Sequence, residues 1–507
     1  MIEKNKKIVA LIVLDGWGYR EEKTNNAIAS AHKPFFDSLW TEYPHSLLSA
    51  SGPAVGLPEG QIGNSEVGHM TIGAGQITDT DLVRISKAIQ DGEFKNIPAF
   101  TKLFEHLKQY NSTLHIMGLI GPGGVHSYQE HLMAFLQSAK TAGLKKIAIH
   151  AFMDGRDLAP QSGATYLEEI NQKLIELGIG HIATVTGRYY AMDRDSNWNR
   201  LDLALSAITK GQGEIIKNIS PAEAVRQKYK NNEVDELLKP MVFLTKDEQP
   251  TMLEKNDGIF IFNFRADRIR MITKKLKEQK DELNLDIVTM TEYEQDLNLP
   301  VAFPPIKIDN TLAKEISLAG LTQAHIAETE KFAHATYFLN GGVEQAYPNE
   351  NQILISSHKD VATHDQAPEM RAKEITDKAL EQIELGTDFL FINYANADMV
   401  GHTANVPAII KAIETLDEQL RRLIEKIEEV KGIAIITADH GNAELNINPE
   451  TGKPHTAHTT NPVPLIITDK NIKIISGGTL VNLAGTILKL LNIKAPANMA
   501  SSLIDPE

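Results

Sequence analysis

Five segments of the chain carry residue types that divalent-metal chemistry uses. Asp15 follows the apolar run 8–14 and opens Asp-Gly-Trp-Gly, and Ser65 lies in Gly-Asn-Ser-Glu-Val-Gly-His at 63–69. Asp398 and His402 are four apart in Asp-Met-Val-Gly-His, Asp439 and His440 are adjacent, and His455 and His458 share a Thr-rich stretch. Carboxylate oxygen and imidazole nitrogen together suit Mn²⁺, Zn²⁺ or Co²⁺ better than Ca²⁺, and affinity order does not choose among them. Ser65 adds a hydroxyl that a bound cation and a helix N-terminus could activate as a nucleophile. The set points to metal-assisted phosphoryl chemistry.

Each member alone has a plainer reading. One Asp-x-x-x-His spacing is commonly a surface pair, although on a helix or tight turn both side chains project to one side and can share an ion. Asn-Ser-Glu is also an ordinary helix start, so Ser65 reads equally as a cap. His69 reads as a helix-face residue and His455 as an exposed loop residue, and both stay outside the ligand set. What favours the metal reading is the accumulation of Asp15, Ser65, Asp398, His402, Asp439, His440 and His458 after strand-like runs.

A second group is cationic. It comprises His126 in Gly-Pro-Gly-Gly-Val-His, Arg156 and Asp157 in Asp-Gly-Arg-Asp, Arg188 and Arg194 in Gly-Arg-Tyr-Tyr-Ala-Met-Asp-Arg, and Arg265 and Arg268 in Arg-Ala-Asp-Arg. Guanidinium groups bind carboxylate and phosphate in bidentate fashion, so their convergence would hold a small molecule bearing both. The plainer alternative is ion pairing with Asp154, Asp193, Asp195 and Asp267 nearby. Asp157 could move a substrate hydroxyl proton as general acid and base.

The elements that must position these groups are short apolar runs at 8–14, 114–119, 147–152, 182–186, 259–263, 389–394 and 433–437. They alternate with amphipathic segments, the pattern of α/β folding around largely parallel sheets, in which ligands gather at the carboxyl ends of strands. The runs before about residue 80 and after about 310 end in Asp, His or Ser, whereas those between end in Arg, His and Asp. Two α/β domains are therefore expected, one inserted in the other: 1–79 and 310–507 metal-binding, 80–309 substrate-binding. The Pro-rich stretch 296–309 is the second crossing.

Composition narrows the partners. Lys plus Arg at 51 against Asp plus Glu at 66 gives a net charge of -15, which disfavours nucleic acid but allows a small anion held by a local basic cluster. The absence of Cys excludes disulfides, thiolate metal sites and cysteine nucleophiles. Lys4, Lys6 and Lys7 before an apolar stretch superficially resemble a signal peptide, but the stretch is short and ends in Asp-Gly-Trp-Gly. No run nears the roughly 20 apolar residues that span a bilayer, so a cytoplasmic protein without a membrane partner is expected.

The segments LDGWG, GNSEVGHMTIGAG, GPGGVHSY, DGRD, TGRYYAMDRD, FNFRADR, AETEKFAHATYFLNGG, DMVGHT, TADHGNAE and PHTAHTTNPVP run in order over nearly the whole chain. Together they resemble the 2,3-bisphosphoglycerate-independent phosphoglycerate mutases of the alkaline phosphatase superfamily. The resemblance implies an alkaline-phosphatase-like domain split by an inserted phosphotransferase domain. It implies one metal on Asp398, His402 and His458, and another on Asp15, Ser65, Asp439 and His440, most often Mn²⁺. It places Lys331 at the phosphoryl group and gives His126, Arg156, Asp157, Arg188, Arg194, Arg265 and Arg268 the glycerate and phosphate. The implied enzyme is an isomerase of glycolysis and gluconeogenesis, usually a monomer whose domains close on 3-phosphoglycerate or 2-phosphoglycerate. Departures from the family pattern are Ala397 for Pro, His325 for Arg, and changes around His358 and His364. The competing expectations are a phosphatase or other phosphomutase of the same superfamily, and a metal-stabilised binding protein.

Overall fold

All seven apolar runs are strands, because β-branched and aromatic residues without polar alternation suit a sheet covered on both faces. The computed structural model describes residues 7–245 and 247–505, so Lys4 and Lys6 lie outside the described residues. The chain divides into two compact units, Met1–Thr80 with Lys307–Glu507, and Asp81–Ile306. No helix among the described residues is long and apolar enough to cross a membrane.

The first unit holds a seven-stranded sheet in the spatial order Glu350–Ile355, Gln323–Glu328, Phe389–Tyr394, Val9–Leu14, Ile433–Thr437, Val463–Ile467 and His45–Leu48. The first five strands are parallel, and the last two each run antiparallel to the preceding neighbour. Register decides what this sheet delivers. Leu14 pairs with Tyr394 and Val13 with Thr437, so three neighbouring strands end level. Asp15, Asp398 and Asp439 therefore leave the same carboxyl edge, the ligand position of open α/β sheets.

The second unit has an eight-stranded sheet in the order Val301–Phe303, Asp286–Thr291, Gly258–Ile261, Leu114–Leu119, Ile147–Met153, His181–Gly187, Met241–Phe243 and Glu214–Ile216. Pleating sends successive side chains to opposite faces, and two apolar clusters result: Ile116, Ile149 and Phe260 belong to one, Met117, Phe152 and Ile261 to the other. Leu119 pairs with Phe152, and Phe152 with Thr186, so these strands also end level.

His131, on the helix Gln129–Thr141, is fully buried, and its Nε2 lies 3.0 Å from Ser86 Oγ. Burial lowers its pKa from 6.5 to about 4. The unfolded chain then binds the proton more readily, so stability is full above pH 6.5 and is lost as pH falls towards 4. His131→Gln keeps the hydrogen bond without the titration. Between pH 7 and 4.5 the wild type is expected to lose about 2 to 3 kcal/mol more than the variant in denaturant unfolding. Equal losses would contradict this account.

Candidate metal centre and arginine cluster

The helix Ser65–Ala74 opens the centre. Its cap is Asn64, whose side chain accepts from Val67 N at 2.9 Å, so Ser65 stands at the first helical position with its hydroxyl free for other partners. The cap reading of Ser65 is thus corrected: the neighbouring side chain satisfies the helix end. Gly68 and Gly73 let the helix pack backbone to backbone, since a Cβ on Gly68 would lie 2.8 Å from Asp439 O and one on Gly73 would overlap Leu339 O.

Ser65 Oγ is buried and donates to Asp15 Oδ1 at 3.3 Å; it lies 2.9 Å from His440 Nε2 and accepts from Lys331 Nζ at 2.7 Å. Lys331, on the short helix Thr329–Ala333, also contacts Asp15 Oδ1 at 2.6 Å and Asp398 Oδ2 at 2.7 Å. Burial alone would lower the Lys331 pKa, but Asp15, Asp398 and Asp439 outweigh it and hold the ammonium charged. Asp15 is pushed up by burial and by Asp439, whereas Asp439 falls because His440, His69 and Lys331 outweigh its burial.

Two sets of donors each converge within 4.8 Å: Asp398 with His402 and His458, and Asp15 with Asp439 and His440. In the first, His402 Nδ1 donates to Thr456 O at 2.7 Å and His458 Nδ1 to Gly63 O at 2.8 Å. Both Nε2 atoms therefore face inward, each 3.2 Å from Asp398 Oδ1 and 3.2 Å from one another. A carbonyl fixing the outer nitrogen while the inner one is aimed at a shared point is how proteins orient metal-binding histidines. In the second set Asp439 Oδ2 is buried without a hydrogen bond. Three carboxylates around one ammonium leave an excess of negative charge, so the donors fit divalent cations.

Several contributors escaped the sequence reading. Asn393, on the Phe389–Tyr394 strand, donates through Nδ2 to Asp15 Oδ2 and to His69 Nε2, both at 2.9 Å. His69 Nδ1 in turn donates to Ser65 O at 2.8 Å and lies 3.3 Å from Asp439 Oδ2, so this histidine ties the Ser65 turn to Asp439. A lone Asn within an apolar strand was the one available signal; that His69 turns inward depends on helix packing. Gly16 takes φ +78, and a Cβ there would lie 2.6 Å from Asp398 Cα, which explains the glycine in Asp-Gly-Trp-Gly. His455 stays apart from both sets.

In the second unit the cationic group assembles through its aspartates. Arg188 Nη1 donates to Asp154 Oδ1 at 2.6 Å and Asp157 Oδ2 at 2.7 Å, and His126 Nε2 lies 3.7 Å from Asp157 Oδ2. Asp154 also accepts from the Arg156 and Asp157 backbone amides at 3.1 and 3.0 Å. Asp267 pairs with Arg194 at 3.2 Å, Arg265 at 3.3 Å and His126 at 3.5 Å. Arg156 extends to Glu236 at 3.7 Å. Burial lowers the Arg268 pKa, and the charges of Arg194, Arg188 and Arg156 lower it further. Ion pairing and clustering hold together, with Asp154 and Asp267 as the struts.

Fold and centre define a metalloenzyme: the model of the Metalloenzyme superfamily matches residues 7–495. The 2,3-bisphosphoglycerate-independent phosphoglycerate mutase of Clostridium botulinum (strain ATCC 19397 / Type A) is 47% identical over 507 residues, covering 98% of this chain and 99% of its own. That of Listeria welshimeri is 47% identical over 506 residues, with 98% of each chain covered. Among solved structures, Leishmania mexicana phosphoglycerate mutase at low cobalt concentration superposes with a TM-score of 0.70 at 29% identity, covering 100% of this chain and 99% of that one. This chain belongs to the 2,3-bisphosphoglycerate-independent phosphoglycerate mutases.

Proposed function

We propose that this chain is an isomerase that interconverts 3-phosphoglycerate and 2-phosphoglycerate through a phosphoserine on Ser65, without 2,3-bisphosphoglycerate. The observation that carries the reading is the setting of Ser65 Oγ, a buried hydroxyl 2.7 Å from the Lys331 ammonium and 2.9 Å from His440 Nε2. Asp398, His402 and His458 would hold one divalent ion, and Asp15, Ser65, Asp439 and His440 the other, with Mn²⁺ the proposed metal. Such ions, when bound, lower the pKa of the serine hydroxyl and offset phosphoryl charge.

Ser65 reacts as its alkoxide: Oγ forms the bond to phosphorus as the bond to the glycerate oxygen breaks, and it leaves again as the alkoxide when the phosphoryl group returns to glycerate. Lys331 donates to the reacting oxygen and stabilises the negative charge that spreads there. Asp157 gives a proton to the departing glycerate oxygen and accepts one from the other hydroxyl when that attacks the phosphoserine, so the two half-reactions balance. His126, Arg156, Arg188, Arg194, Arg265 and Arg268 hold the glycerate carboxylate and the incoming phosphate. The -15 net charge supports a small anionic substrate bound by this local cluster over nucleic acid.

The test follows 3-phosphoglycerate with Mn²⁺ by ³¹P NMR, with no 2,3-bisphosphoglycerate added. A growing 2-phosphoglycerate resonance is expected. Accumulating inorganic phosphate in its place would identify a phosphatase and overturn the proposal.

A further inference from the structure

Glu444 is fully buried and belongs to neither donor set, yet three segments close around its carboxylate. Oε2 accepts from Asn442 N at 2.9 Å, while Oε1 accepts from Asn461 Nδ2 at 2.9 Å and from Thr459 Oγ1. A Cβ at Gly18 or Gly441 would overlap the carboxyl group, so both glycines leave room for it. A buried carboxylate is retained only where such donors replace water.

The two oxygens lead to two ligands of the same donor set. From Oε1 the path is one residue long, because Thr459 follows His458, and Thr459 N also donates to Gly441 O at 3.0 Å. From Oε2 it runs through Asn442, whose Nδ2 donates to Asp398 Oδ1 at 3.0 Å. Gly441 also follows His440 of the other set, but that set has its own supports, Asn393 on Asp15 Oδ2 at 2.9 Å, and Gly16 N and His440 N on Asp439 Oδ1 at 3.2 and 3.1 Å.

We infer that Glu444 is a positioning residue for one ion only, fixing His458 and Asp398 against each other without touching the metal. The inference rests on the two-ion reading above. Removal of a group hydrogen-bonded directly to a metal ligand costs about 10- to 100-fold in metal affinity, and Glu444 acts one contact further out, so the lower end of that range is expected. Calorimetric titration with Mn²⁺ is the test, because it reads binding without turnover. The wild type is expected to take up two ions. Glu444→Gln and Thr459→Val should keep one at wild-type affinity and bind the other at least about tenfold more weakly. Asp398→Asn identifies which: combined with Glu444→Gln, it should bind its remaining ion as tightly as Asp398→Asn alone.

Wild-type affinity for both ions in Glu444→Gln, even with a lowered melting temperature, would overturn the inference and leave the two-ion reading standing. Loss of the remaining ion in the double variant would do the same. A wild-type chain binding fewer than two ions would overturn both. Should Glu444→Gln fail to fold, Thr459→Val decides alone, since it removes one hydroxyl and keeps the side-chain volume.

Discussion

Replacing Ser65 with alanine is expected to lower kcat by about 10⁴-fold or more while the fold survives, because the nucleophile of a covalent mechanism has no substitute. The helix should persist, since Asn64 and not Ser65 caps it. What the variant loses is one hydroxyl that contacts Asp15, His440 and Lys331. Circular dichroism at wild-type melting temperature together with the missing turnover would separate chemistry from folding. Acid quenching of the wild type with substrate should leave phosphate on the peptide containing Ser65, read by mass spectrometry, and none in the variant. Mutase activity above about one per cent in Ser65→Ala would end the phosphoserine route.

Lys331→Met should lower kcat by about 10³-fold, the scale set by loss of one preorganised charged donor in a water-poor site. The physical reason is in its contacts, 2.6 Å to Asp15, 2.7 Å to Asp398 and 2.7 Å to Ser65. Methionine keeps the length and apolar stem but removes the charge. Two carboxylates then lose their buried partner, which costs about 3 to 5 kcal/mol. Divalent cations should restore much of that stability, because they bind the same carboxylates, but should not restore kcat. Thermal melts with and without Mn²⁺, beside steady-state kinetics, check both statements. A kcat within tenfold of wild type would remove Lys331 from the chemistry.

Much of the site could be read along the chain because the residues announce themselves by position. Asp15 and the Asp439-His440 pair each follow a strand within two residues, and Asp398 and His402 lie on and just after the short helix Asn396–Gly401. The partners of these groups were harder to read. Asp154 and Asp267 looked like competitors for the arginines, yet they are the struts that gather them. Their role depends on which strand ends are neighbours, and no spacing in sequence encodes that.

By itself the sequence determined the α/β class, seven of the strands and the inventory of candidate ligands, hydroxyl and cations, because hydrophobic period and residue type are local properties. Only the tertiary structure decided that Val9–Leu14 lies between Phe389–Tyr394 and Ile433–Thr437, in a register that ends all three together. That adjacency spans several hundred residues of chain and is set by burial of the whole sheet. It brings Asp15, Asp398 and Asp439 around one ammonium, and it gives His69, Asn393, Asn442 and Glu444 their meaning. Their contacts cross segments remote in sequence, so those contacts exist only once the strands have paired.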